Sequence, residues 1–238
     1  MMRLLRTLKA RLRRHGGSEL DRVIPAEIAG DRLCVLLEEL AARPGVQHIL
    51  EIGSSSGEGS TAALVRGARR NPSGPELHCM EVSERRFEQL VSRYHELPFV
   101  HCHRVSSVPL ERFPTPDEVE RFYRDVPTRL RRTPLREVLR WLDQDVTYLR
   151  EHGLSAAGIQ DIKRSHGIER FDLVLIDGSE FTGPAEMEDV YGARYLALDD
   201  TRTFKNFRND QRLKADPHYR LVEESPELRN GFAVFERV

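Results

Sequence analysis

Short apolar runs alternate with helical stripes along most of the chain. Residues 48–52 (His-Ile-Leu-Glu-Ile) predict a buried strand that breaks at Gly53 into a loop of Gly and Ser, with an amphipathic helix starting near Glu58 and running on from Thr61 to residue 70. Upstream, Leu33, Leu36, Leu37 and Leu40 recur at i, i+3, i+4, i+7 and predict a helix over 31–43, stopped by Pro44-Gly45. Further strands are predicted over 76–82, 99–104, 171–177 and 195–198. Helices are predicted over 83–97 with Ser83 as N-cap, from Pro184 through Met187, Val190 and Tyr191, and over 204–214. Thr115-Pro116-Asp117-Glu118 joins an N-cap, a proline at the first helical position and a capping-box Glu. Thr133-Pro134 repeats that start signal ahead of a stripe of Leu135, Val138, Leu139, Leu142, Val146 and Leu149 that ends near Gly153, and a third short helix follows over 155–166. Strand-like runs over 219–224 and 232–238 flank Leu228-Arg229-Asn230-Gly231, where Asn-Gly predicts a hairpin.

Strands and helices in alternation imply an α/β fold: a Rossmann-like, seven-stranded, mostly parallel sheet with helices on both faces. The C-terminal hairpin adds an antiparallel strand, unlike most nicotinamide dehydrogenases. Residues 1–30 are a basic helix and linker, and residues 31–238 are the main domain, with a helical insert over about 110–169. Such an insert falls at the carboxyl edge of the sheet, where open α/β folds bind ligands. Substrate selection or a lid is one job for it, and a homodimer interface is the other.

Composition narrows the setting. The chain has 238 residues, enough for a full core, and 32% of them are charged with a net charge of -1, so no nucleic-acid partner is expected. No apolar run approaches the roughly 18 residues of a membrane span. Cys34, Cys79 and Cys102 fall in apolar patterns and read as buried thiols of a reducing, cytoplasmic compartment, not as a disulfide framework or zinc site. Residues 1–15 carry Arg3, Arg6, Lys9, Arg11, Arg13 and Arg14 beside Leu4, Leu5, Leu8 and Leu12. That pattern suits peripheral contact with anionic lipid, an organelle-targeting peptide, or a solvated or partner-packed terminal helix.

The candidate chemistry starts at the glycine loop. Gly53, Gly57 and Gly59 follow G-x-x-x-G-x-G, not the dinucleotide spacing G-x-G-x-x-G, and Glu51 sits two positions before the first glycine. Glycine permits a sharp turn and close ligand approach, and free N–H groups of a helix's first turn favour an anion. The next strand ends in Met80-Glu81, and a carboxylate there can accept from both hydroxyls of a ribose. With Glu-Ile-Gly-Ser-Ser-Ser-Gly-Glu-Gly-Ser followed by Cys-Met-Glu, the chain resembles the class I S-adenosylmethionine-dependent methyltransferases. Within them it is most like the small-molecule O-methyltransferases of the catechol and macrolide-sugar type.

The resemblance implies a cofactor, S-adenosylmethionine, whose methionine end lies against Glu51, Gly53, Ser54, Gly57, Gly59 and Ser60. Its ribose would lie on Glu81, its adenine near Ser106, and Asp177 beside it. It also implies Mg²⁺ on Asp177 and on Asp199-Asp200, where oxygen ligands suit that ion and the ion lowers the pKa of a substrate hydroxyl. Another reading has Asp177 orienting the ligand alone and Asp199-Asp200 capping the following helix. Asp177 and Glu180 are the catalytic candidates: the family's lysine base, three residues after the first metal aspartate, is replaced here by Glu180, which reads as the base, a fourth metal ligand or a surface charge. Lys205, His101 and His103 are further base candidates. The implied partner is a small hydroxylated acceptor such as a sugar or polyketide. The rivals are a cofactor-binding protein without turnover and a nucleic-acid or protein methyltransferase; Asp-Gly-Ser-Glu stands where a nucleic-acid enzyme would carry Asn/Asp-Pro-Pro-Tyr/Phe.

Overall fold

The computed structural model describes Leu20 and residues 30–238, so the expectations for the basic segment 1–15 and most of the linker lie outside the described residues. Seven strands, β1 (His48–Ile52), β2 (Glu76–Met80), β3 (Val100–His103), β4 (Leu173–Ile176), β5 (Tyr195–Asp199), β6 (Tyr219–Ser225) and β7 (Phe232–Arg237), form one sheet in the order β3-β2-β1-β4-β5-β7-β6. The pairings among β1 to β5 are parallel, whereas β7 runs antiparallel to both β5 and β6. The expected Rossmann-like sheet with its antiparallel C-terminal strand is therefore present.

Eight α-helices are described: α1 (Arg32–Ala41), α2 (Ser60–Arg70), α3 (Glu84–Tyr94), α4 (Pro116–Asp125), α5 (Leu135–Glu151), α6 (Gly158–His166), α7 (Gly183–Val190) and α8 (Phe207–Ala215). The central strands are buried on both faces, as parallel strands covered by helices must be. Ile49, Leu77 and Leu173 pack with Leu33, Leu37, Leu64 and Leu90 on the α1–α3 side. Leu50, Ile52, Val174 and Leu196 pack with Ile159, Ile162, Met187 and Leu213 on the other. A third cluster belongs to the insert, where Val119, Phe122, Leu130, Val138 and Leu142 close on Phe181 and Phe204.

Local signals placed several boundaries well. The Ser83 hydroxyl accepts from Arg86 N at 3.3 Å, and Thr115 with Glu118 forms the full capping box. Other expectations need correction. The helix after the glycine loop starts at Ser60, not near Glu58, because Gly57 and Gly59 take positive φ (80° and 58°) that a helix excludes. Thr133 does not cap α5, whose preceding residue is Pro134 with no side-chain cap, and α6 begins at Gly158. The helix expected over 204–214 begins only at Phe207, since 201–206 wrap as turns over the end of β5. Asn230-Gly231 does not make a two-residue turn. The strands are joined by 226–231, with Arg229 (φ 50°) and Gly231 (φ 87°) in the left-handed region. The cysteines are free, Cys34 and Cys79 buried and Cys102 half-buried on an edge strand. Among the described residues no helix is long and apolar enough to cross a membrane.

Candidate functional site

Strand order reverses between β1 and β4, and a cleft of about 470 Å³ opens above their carboxyl ends. Gly53 follows β1 with φ 91°, and a Cβ there would lie 2.2 Å from the backbone oxygen of Asp177. Only glycine lets the turn lie flat on the end of β4. Gly53 N and Ser54 N both donate to Met80 O (3.1 and 2.9 Å), tying the turn to β2. The Tyr94 hydroxyl donates to Gly57 O at 2.5 Å and steadies the far end of the loop.

The predicted cofactor residues divide into two groups. Gly53, Glu81, Ser106 and Asp177 are in the cleft wall, whereas Glu51, Ser54, Gly57, Gly59 and Ser60 are not. Glu51 is fully buried beneath the loop and accepts from Thr61 Oγ1 at 2.6 Å. Burial pushes its carboxyl up, with the Ser60 and Thr61 hydroxyls opposing. Glu51 thus supports the loop from behind. Glu81 closes β2: it accepts from Ser83 N at 2.7 Å, and burial raises its pKa against the backbone N–H groups of Ser83, Ser55 and Val82 and the charge of Arg86. The Ser106 hydroxyl donates to Val108 O at 2.6 Å, so its role in the wall is shape. Ser106 O accepts from Gly158 N at 3.0 Å, which docks the start of α6 against the cleft.

The insert supplies the opposite wall through Trp141, Gln144, Asp145, Tyr148 and Leu149 of α5, joined by Phe113 and Phe181. None of these was a site candidate in the sequence, because α5 looked like an ordinary amphipathic helix. Asp145 accepts from Ser179 Oγ at 2.5 Å, and burial raises its pKa to about 6. Glu180 is also in the wall. Its two oxygens accept from Phe204 N (2.8 Å) and Thr203 Oγ1 (3.1 Å), and burial raises it to about 7 although the Lys205 charge opposes.

The acidic residues converge as expected: one oxygen from each of Asp177, Asp199 and Asp200 lies within 4.8 Å of the others. A cation of the chain's own is already among them. Lys205 Nζ, on a side chain 7% exposed, donates to Asp177 Oδ1 at 2.9 Å and Asp200 Oδ2 at 2.8 Å. Arg229 donates to Asp199 Oδ1 at 2.5 Å and also reaches Asp31. Burial alone would lower the Lys205 ammonium, but Asp177, Asp200, Asp199 and Glu180 outweigh it and hold its pKa well above the ordinary lysine value. Lys205 is therefore a fixed cation and not a proton acceptor. Asp177 rises to about 6, chiefly through burial, whereas the Lys205 charge overcomes burial to hold Asp200 below the usual carboxylate range. Neither Asp199 nor Asp200 caps a helix, since α8 begins only at Phe207. His101 and His103 lie on the edge strand β3, outside the cleft wall.

No family model matches the chain, and no curated protein matches it. Solved structures do. An O-methyltransferase from Bacillus cereus in complex with SAH superposes with a TM-score of 0.56 at 16% identity, over 90% of this chain and 84% of that one. The O-methyltransferase TomG from Streptomyces achromogenes, solved with SAM and involved in tomaymycin synthesis, gives 0.54 at 16% identity over 90% and 83%. A methyltransferase from Geobacter sulfurreducens gives 0.51 at 13% identity over 89% and 81%. The chain has the class I methyltransferase fold.

On a methyltransferase fold the residues present suit S-adenosylmethionine. The turn at Gly53 has no side chain, Glu81 offers a carboxylate at the tip of β2, and Ser106 shapes the wall beyond β3. The oxygen donors Asp177, Asp199 and Asp200 are the right chemistry for Mg²⁺. With Lys205 bridging two of them and Arg229 holding the third, this arrangement does not fit a further divalent ion.

Proposed function

We propose that the chain transfers a methyl group from S-adenosylmethionine to an oxygen of a small hydroxylated acceptor. The observation that carries this reading is one continuous cleft lined by the glycine turn, Glu81 and Ser106 together with Asp177, Glu180 and Asp145 and the aromatic rings of Phe113, Trp141 and Phe181. The oxygen acceptor is supported by the O-methyltransferases from Bacillus cereus and Streptomyces achromogenes that share the fold. S-adenosylmethionine, when bound, supplies a methyl group already activated on a sulfonium. What remains for the protein is positioning, exclusion of water and removal of one proton.

Each task has its residues. Gly53 and Ser55 present backbone at the methionine end, Glu81 accepts from the ribose hydroxyls, and Val105 with Ser106 borders the adenine. Trp141, Tyr148 and Leu149 of α5 give the insert an acceptor-selecting role, walling the reacting centre from solvent. Glu180 takes the acceptor's proton; a carboxylate raised to about 7 is matched to proton transfer near neutrality. Lys205 supplies the positive charge that the neighbouring carboxylates require, so no step runs through a metal.

The test is turnover of S-adenosylmethionine against a panel of hydroxylated sugars, phenols and polyketides, with and without EDTA. Methylated product at an undiminished rate in EDTA is expected. Loss of turnover in EDTA that Mg²⁺ restores would return the ion to the aspartates. Absence of cofactor binding in calorimetry would leave a protein that keeps the fold without the activity.

A pH profile tests the base. Below about 7 Glu180 holds a proton and cannot accept one, so the rate climbs as pH rises through about 7 and then levels. Glu180→Gln should slow the methyl-transfer step by about 100- to 10,000-fold and flatten that limb. A variant with the parental rate and profile would remove Glu180 from the mechanism and make Asp145, whose carboxyl burial raises to about 6, the next candidate.

A further inference from the structure

Four of the nine histidines gather on the far edge of the sheet, outside the cleft wall. Parallel pairing sets His78 of β2 beside His101 of β3 and Met80 beside His103. Because strand side chains alternate with a period of two, His78, His101 and His103 share one face. That face meets the C-terminal end of α6, where His166 is the last helical residue. The His166 ring lies edge-on to His78 with centroids 4.4 Å apart, and His78 stacks on His101 at 4.9 Å.

A core gains little from such a grouping. His78 is fully buried, and its Nε2 and that of His101 have no hydrogen-bond partner.

The spacing is that of ligands. One nitrogen from each of His78, His103 and His166 lies within 4.8 Å of the others. His78 Nδ1 and His103 Nε2 are 3.2 Å apart, close to the roughly 3.3 Å that separates two imidazole nitrogens on one tetrahedral zinc with Zn–N of about 2.0–2.1 Å. Behind His78, a Glu76 carboxylate oxygen faces Nε2 at 3.9 Å. Metal-bound histidines commonly present the second ring nitrogen to such a carboxylate.

We propose that His78, His103 and His166 bind a zinc-class divalent transition ion, with Glu76 orienting His78, and that the ion fastens the end of insert helix α6 to the β2–β3 edge. Imidazole ligands select Zn²⁺ over Mg²⁺, which prefers oxygen, so the site is chemically distinct from the aspartate cluster. Three protein ligands leave the fourth position to water. The inference does not depend on the proposed methyl transfer.

The experiment uses the full-length chain, tag-free and stripped of metal, titrated with ZnCl₂ and separately with MgCl₂ by calorimetry and thermal unfolding. One equivalent of Zn²⁺ is expected, with a higher unfolding temperature that Mg²⁺ does not reproduce. Co²⁺ should give the visible absorption of a tetrahedral complex. His166→Gln, at an exposed helix end where folding is spared, and His103→Gln should each weaken Zn²⁺ binding by more than about tenfold and abolish the Co²⁺ spectrum. His95→Gln, on the exposed end of another helix, should bind as the parent does. No Zn²⁺ uptake, or uptake unchanged in both His166→Gln and His103→Gln, would overturn the proposal.

Discussion

Lys205→Met unfolds about 3–5 kcal/mol more easily than the parent at pH 8, and the deficit narrows as the pH falls toward 5. Removing the ammonium leaves the Asp177 and Asp200 carboxylates facing one another, with Glu180 and the Arg229-held Asp199 close by. Breaking a buried pair from one side leaves uncompensated charge, which sets the expected size of the loss. The pH dependence has a definite sign. Asp177 and Glu180 already have folded-state pKa values raised to about 6 and about 7, and loss of Lys205 raises them further. A folded state that holds protons more tightly than the unfolded chain is favoured as pH falls, so the variant recovers below about pH 6. Lys205→Arg, which keeps the charge, should lose less. Denaturant unfolding at pH 5 and pH 8 measures both variants. Equal deficits for Lys205→Met at the two values would show that the lysine serves packing and not charge.

The second large effect is at Gly53. Gly53→Ala destabilises the fold by about 3–5 kcal/mol, from overpacking and backbone strain together, and abolishes cofactor binding. The added Cβ would sit 2.2 Å from Asp177 O and 2.7 Å from its carbonyl carbon, and both are backbone atoms that no rotamer change can move. Gly74→Ala is the matched control. Gly74 also has positive φ (61°), but nothing lies within 4 Å of its added Cβ, so its cost is the conformational term of about 1 kcal/mol. If Gly53→Ala unfolded at the same denaturant concentration as Gly74→Ala, the tight seating of the turn on β4 would be refuted.

The parts of the fold that could be read in the sequence are those decided within a few residues. The apolar run 48–52 with Gly53 after it, Ser83 three residues before Arg86, and Thr115 with Glu118 carry their own geometry. The acidic cluster was legible for the same reason, because Asp177 follows β4 directly and Asp199-Asp200 closes β5. Its neutralisation was not. Lys205 lies 28 residues from Asp177, and Arg229 lies 30 from Asp199. Nothing local shows that the turns over 201–206 and the loop 226–231 bring those cations back over the sheet. The cleft wall built by α5 escaped similarly: Asp145 meets Ser179 across 34 positions, and a helix read only for its apolar stripe gives no sign of what its other face covers. Asn230-Gly231 misled in the opposite sense, since the positive φ falls at Arg229 and Gly231 while Thr201 N and Arg202 N donate to the oxygens of Gly231 and Asn230.

The position of β7 between β5 and β6 sets the order in which the molecule can be assembled. During synthesis, five parallel strands can associate while the outer edge of β5 still exposes unpaired N–H and C=O groups, a template for another chain. Arg229 and the Gly231 carbonyl, which fasten Asp199 and Thr201, emerge from the ribosome only with the hairpin that seals this edge. The neutralised acidic corner is thus among the last features the nascent polypeptide acquires, and premature termination ahead of Phe232 would yield an aggregation-prone sheet.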